Sequence, residues 1–255
     1  MNNPSASVYD EITAVGQAGF DFVDLTIEGP NAADPDPERI CTLLDQYNLS
    51  LVGHTDPCLP YAYPRDSVRR ACFDEFRRCA SIFSATRARI MNIHPCYSCP
   101  PAMKKDLVAL NIEALKPLNR LAADCGLTLV LENFEAPFDS VSTYARILEE
   151  VPGLEIHLDF GHANFGRDNG EDFCKYLGGH IKHVHFSDNR GKMDDHMPLG
   201  VGNIDWKKAV SALKSIGYDA TITLEVFCED RHVLFQYVEL SRRHVLDLWK
   251  MSTTP

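Results

Sequence analysis

Short apolar stretches alternate with longer amphipathic ones along this chain, and the alternation predicts its elements. Strands are expected at 22–27 (FVDLTI), 50–54 (SLVGH), 88–93 (ARIMNI), 127–132 (LTLVLE), 155–159 (EIHLD), 181–186 (IKHVHF) and 221–226 (TITLEV). Between them the clearest helix covers 104–124, where Leu107, Leu110, Ala114, Leu118 and Leu121 recur at helical spacing. Pro117 should bend it. Further helices are expected near 66–83 and 231–249, and residues 5–19 read as a helix with Ser5 as N-cap. Repeated strand–loop–helix units imply a parallel sheet with right-handed crossovers.

Two strands refine this picture. In 128–132, Thr128, Val130 and Glu132 share one face and Leu129 and Leu131 the other. In 221–225, Thr221, Thr223 and Glu225 oppose Ile222 and Leu224. A doubly wound sheet buries both faces under helices and reads as continuously aliphatic. One aliphatic face and one small or polar face, ending in a carboxylate, suits a barrel with a functional mouth. The expected fold is therefore α/β, a TIM (β/α)8-type barrel. Only seven strands can be counted, so it should lack or truncate the first strand, and an open edge there would invite pairing and a homo-oligomer.

Composition adds limits. The 255 residues show no composition break or long linker, so a single domain over 1–255 is expected. No apolar run approaches the roughly 20 residues of a membrane span. The first residues lack a secretory pattern, and nine scattered cysteines fit a reducing, cytoplasmic setting better than a disulfide framework. A net charge of -11, from 36 acidic and 25 basic residues, counts mildly against a nucleic-acid partner.

Chemistry concentrates at the strand ends: Glu28, His54, His94, Glu132, Asp159 with His162, His185 and Glu225. Any one of them has an ordinary reading, a hydrogen-bonded core histidine or a solvated rim carboxylate. Successive strands ending in ligand-type residues point to a site at the C-terminal face of the barrel. Imidazole and carboxylate without thiolate suit zinc, manganese, cobalt, iron or magnesium.

The segments LEN (131–133), LDFGH (158–162), HVHFSDN (183–189), DDHMPLGVGNIDW (194–206) and LEV (224–226) carry a resemblance that covers nearly the whole chain. They resemble the xylose-isomerase-like TIM-barrel superfamily, which contains sugar and sugar-phosphate isomerases and epimerases as well as endonuclease IV-type AP endonucleases (family 2). For the epimerase branch the resemblance implies one divalent metal (Zn, Mn or Co) on Glu132, Asp159, His185 and Glu225. The two glutamates would double as the proton-transfer pair of an enediolate mechanism. His162 would contact a substrate oxygen and Arg190 would bind a carbohydrate or sugar phosphate. For the nuclease branch it implies three zinc ions on nine ligands: His54, His94, Glu132, Asp159, His162, His185, Asp194, His196 and Glu225. The loop 55–65 has no match to a DNA-reading loop, and Tyr61 and Tyr63 could stack on a base or simply pack. The carbohydrate reading leads; the phosphodiesterase reading and a non-catalytic, metal-bearing barrel stay open.

Other signals carry less. Cys96-x-x-Cys99 lacks the second pair of a zinc ribbon and reads as two free loop thiols. Gly200-Val201-Gly202 could expose N–H groups to a phosphate or shape the loop presenting His196. His183, deeper on the face of His185, reads as a hydrogen-bonded core residue.

Overall fold

The structure, a computed structural model, describes residues 6–28 and 35–251. Seven strands are present among them: β1 (Phe22–Ile27), β2 (Ser50–Thr55), β3 (Ile90–Ile93), β4 (Thr128–Glu132), β5 (Glu155–Asp159), β6 (Ile181–Phe186) and β7 (Thr221–Leu224). They form one sheet in chain order. This is the sequential β/α arrangement of a TIM-type barrel, with seven strands where the full barrel has eight. Helix α1 (Val8–Gln17) precedes β1, and helices α2 (Pro37–Tyr47), α3 (Asp66–Ala85), α4 (Leu107–Asp124), α5 (Val141–Glu150), α6 (Phe160–Phe165), α7 (Gly170–Leu177), α8 (Trp206–Ser215) and α9 (Arg231–Lys250) lie between and after the strands.

Most expected boundaries hold within a residue or two, and the differences have local causes. The first helix starts at Val8, with Ser7 in the cap position; the cap expected at Ser5 lies outside the described residues. The stretch expected as one helix from 104 divides into a 3-10 turn, Pro101–Asp106, and then α4. Two consecutive prolines, Pro100 and Pro101, suit a tight first turn. Helix α4 runs on through Pro117 as one element.

The described residues group into two compact units. The first extends to Leu131 and takes in Arg146–Glu155. In it β1 and β2 pair parallel along their whole length, β2 pairs β3, and β3 pairs β4 from Ile90↔Thr128 to Ile93↔Leu131. Helix α3 packs on β2 so closely that a Cβ on Gly53 would meet the Phe83 ring at 2.5 Å. Pro37 in the first turn of α2, capped by the Asp36 carboxylate accepting from the N–H of Glu38 (3.0 Å), shows why that helix begins where it does.

The second unit comprises Glu132–Ala145 and Ile156 onward. Here β5 pairs β6 and β6 pairs β7 in parallel, aligning Asp159 with His185 and His185 with Thr223. Helices α7, α8 and α9 begin at Asn169, Asp205 and Asp230, whose side chains accept from backbone N–H groups of their own first turns. No described helix is long and apolar enough to cross a membrane.

Candidate metal centre at the strand ends

Seven of the nine candidate metal ligands lie in the second unit, with Arg190 and His183. Alternation along a strand turns Asp159, His185 and Glu225 to the same side as their predecessors His157, His183 and Thr223. Glu132, Asp159, His185 and Glu225 are all buried, and one ligand atom from each can be chosen so that all lie within 4.8 Å of one another. The His185 Nδ1 sits 3.1 Å from Glu225 Oε2, 3.8 Å from Asp159 Oδ2 and 3.9 Å from Glu132 Oε1.

Three carboxylates buried around one imidazole are costly unless a cation offsets them. Burial pushes the Asp159 carboxyl up to about 7; Glu132 and Glu225 add to the rise, and His162 and His185 oppose it. At Glu225 burial also opposes the charge, but the imidazoles of His185 and His196 outweigh it and hold the carboxyl below its ordinary value. Although Asp159 is fully buried, its Oδ2 accepts no hydrogen bond. One imidazole nitrogen, three carboxylate oxygens and a buried acceptor lacking a donor fit a divalent cation well.

Beside this cluster, Asp194 Oδ2 accepts from His162 Nε2 at 3.1 Å and stands 2.9 Å from His196 Nε2. Burial disfavours the Asp194 charge, yet these two imidazoles hold its carboxyl well below the usual range. For His162 burial opposes protonation, but Asp159, Asp194 and Glu132 push it up to about 10. His162 Nδ1 donates to the Asn133 carbonyl (2.8 Å) and lies 3.4 Å from Glu132 Oε1. His196 Nδ1 lies 3.7 Å from Glu225 Oε2. Its backbone is left-handed, at φ 46, with its carbonyl accepting from Phe227 N–H at 3.0 Å. Arg190 is exposed at the start of the same loop.

The loop carrying Asp194 and His196 hangs on a residue that sequence reasoning passed over. Asp188, fully buried, accepts from the N–H groups of Asn189, Gly200 and Ile204 and from Trp206 Nε1, at 2.8 to 3.2 Å. Its backbone also pairs with Met197 in both directions. A Cβ on Gly202 would lie 2.2 Å from the Asn189 carbonyl and from Asp188 Oδ1. The Gly200–Gly202 turn therefore shapes this loop, the second of its two sequence readings. Asn133 was likewise missed: its amide grips the Asp159 backbone, donating to the carbonyl (2.9 Å) and accepting from the N–H (2.7 Å). The only sequence signal for either was membership of the LEN and HVHFSDN segments.

His54 and His94 belong to the first unit, where their Nε2 atoms are 3.0 Å apart. Asn92 Nδ2 is 2.8 Å from the same His54 atom, and His54 Nδ1 is 3.8 Å from Asp24 Oδ1. Glu28 is half-buried just past β1. Tyr61 is buried, with its hydroxyl donating to the His94 carbonyl and Asn111 Oδ1 (3.1 and 2.9 Å), so its role here is packing. All nine cysteine thiols are free, Cys96 and Cys99 included. His183 bonds Thr221 Oγ1 (2.7 Å) and Thr223 Oγ1 (3.3 Å), a satisfied core histidine.

Residues 12–246 match the xylose isomerase-like TIM barrel family, and the chain belongs to it. An uncharacterized protein of Methanocaldococcus jannaschii is 26% identical over 96% of this chain and 89% of its own length. The L-ribulose 3-epimerase of a Methylomonas species is 25% identical over 89% of this chain and 80% of its own. Among solved structures, a D-tagatose 3-epimerase-like protein is similar at a TM-score of 0.80 and 25% identity, covering 94% of this chain and 96% of that one.

Proposed function

We propose that the protein is a divalent-metal-dependent epimerase or isomerase of a ketose sugar or sugar phosphate, working through an enediolate. The observation that carries this is the convergence of Glu132, Asp159, His185 and Glu225, buried together within 4.8 Å. The similarity to an L-ribulose 3-epimerase and to a D-tagatose 3-epimerase-like protein supports a ketose as substrate and the carbon beside its carbonyl as the reacting centre.

Zinc, manganese or cobalt suits the four residues, and such an ion would polarise the ketose carbonyl and its neighbouring hydroxyl, acidifying the C–H between them. Glu132 and Glu225 then move the proton. One carboxylate takes it from carbon, the other returns one to the same carbon of the planar enediolate, and delivery from the opposite face inverts the centre. Both are held for this task, Glu132 beside His157 and His162, Glu225 beside His185 and His196. His162 Nε2–H would have to leave Asp194 Oδ2 to donate to a substrate oxygen, and the exposed Arg190 would bind the carbohydrate or its phosphate.

The test is solvent-deuterium incorporation into a panel of ketoses and ketose phosphates with Mn(II) or Co(II) present. Glu225→Gln should slow incorporation by ~100-fold or more; incorporation at the wild-type rate in that variant sinks the reading.

A second reading, a three-zinc phosphodiesterase, is favoured by one observation. Asp194 joins His162 and His196 through Oδ2 while its buried Oδ1 accepts no hydrogen bond. Metal content of protein purified without chelator separates the two, about one ion per chain against about three zinc ions. Incision of an abasic-site duplex would then decide for the second.

A further inference from the structure

We propose that His157 is a positioning residue for Glu132, holding one carboxylate oxygen so that the other faces the four-residue cluster. The inference deepens the proposed function, since it rests on Glu132 serving there as ligand and proton carrier.

His157 lies on β5, two residues before Asp159 and on the same side of the strand, fully buried. Its Nδ1 is 3.0 Å from Glu132 Oε2. The other oxygen of Glu132, Oε1, has different neighbours: His162 Nδ1 at 3.4 Å and His185 Nδ1 at 3.9 Å. The two oxygens are thus sorted, Oε2 against His157 and Oε1 among the candidate ligands.

The imidazole is itself fixed. Its ring meets that of His185 edge-on, 3.9 Å between centroids at 73°, and lies 4.7 Å from that of His183. His183 in turn is tied to Thr221 and Thr223. Turning the His157 ring away from Glu132 would push into one of these two, so the contact is set by packing on both sides. A metal-binding carboxylate with a free choice between its oxygens loses orientation on every exchange, and a neighbour that removes the choice raises both affinity and reactivity. A histidine that only filled space would leave metal affinity and the catalytic constant unmoved when replaced by a ring of similar size.

The experiment compares wild type, His157→Phe and His157→Asn. Phenylalanine keeps the ring and removes the nitrogen; asparagine restores an N–H near the Nδ1 position. Co(II) titration followed by its visible d–d absorption gives affinity, and deuterium incorporation into the ketose gives kcat and KM. Expected for His157→Phe is a 10- to 100-fold loss of Co(II) affinity, a similar fall in kcat and a KM within about twofold. His157→Asn should recover most of both. Wild-type Co(II) affinity and kcat in His157→Phe would overturn the proposal. If no ketose exchanges deuterium even with wild type, the functional reading fails while the Co(II) titration still decides on His157. Should His157→Phe not fold, His157→Gln, which carries its amide out to the Nε2 position, takes its place under the same criteria.

Discussion

Asp159 Oδ1 accepts the backbone N–H of His162 at 2.7 Å, which makes a candidate metal ligand also the N-cap of α6. Its Oδ2 accepts no hydrogen bond. One carboxylate therefore splits its two oxygens between helix and cluster, and the split can be tested. Asp159→Asn keeps a capping oxygen and removes the charge, so apo-protein stability should change little while Mn(II) or Co(II) affinity falls steeply. Asp159→Ala loses the cap as well, at about 1 kcal/mol. Isothermal titration with the metal and urea unfolding of the apo forms separate the two; equal metal affinity in wild type and Asp159→Asn would refute the ligand role.

Metal removal should destabilise the whole protein. Glu132, Asp159 and Glu225 bury three carboxylates around His185, and an ion that binds only the folded state adds about 2.7 kcal/mol at a free concentration 100 times its Kd. The expected result is a melting temperature that falls on chelation and recovers on adding back one equivalent of ion. Should the melting temperature ignore both treatments, no cation sits there.

Gly202 has no room for a side chain, because its Cβ position is filled by the Asn189 carbonyl and Asp188 Oδ1. Gly202→Ala must move the loop that carries Asp194 and His196, with a cost of about 1–3 kcal/mol from overpacking. Activity should drop more than stability, and limited proteolysis should cut within 188–206 sooner than in wild type. A variant with wild-type cleavage and turnover would show that the loop has another way to relax.

Alkaline pH should weaken the fold through two buried thiols. Burial pushes Cys79 up to about 12, helped by the carboxylate of Glu75, and burial likewise pushes Cys174 up to about 12, helped by Glu171. Both folded values lie above the ordinary thiol value of 9.0, so below pH 9 both states hold these protons and stability is complete. Above it the unfolded chain releases them first, and stability falls by about 1.4 kcal/mol per pH unit for each thiol until roughly pH 12. Urea unfolding from pH 8 to 10.5 measures the slope, and Cys174→Ala should flatten it; an unchanged slope would assign the alkaline limb to other groups.

Much of this was readable in the chain, for reasons that differ between fold and site. Strand positions followed from short alternating stretches such as 155–159 and 181–186, because a strand's period of two and its bounding loops are local properties. The residues Glu132, Asp159, His162, His185 and Glu225 were readable because they end strands or begin the loops after them. Asp194 and His196 stood out through a dense motif of glycine, proline and polar residues. Their partners were not readable in this way. Asp188, Asn133 and His157 act through contacts across 12 to 26 positions of chain, as in Asn133 with Asp159 and Asp188 with Gly200. Nothing in a buried aspartate's own neighbourhood tells whether it accepts four donors or binds an ion.

By itself, then, the sequence determined the number and order of the strands and the donor types at their ends, since these depend on local periodicity and residue chemistry. Tertiary structure alone decided which oxygen faces which nitrogen. It set Asp159 Oδ2 bare and Glu132 Oε2 against His157, and it bent the 188–206 loop so that Asp194 meets His162. Those outcomes depend on packing and register between segments distant in the chain, where a shift of one residue would turn each side chain to the opposite face.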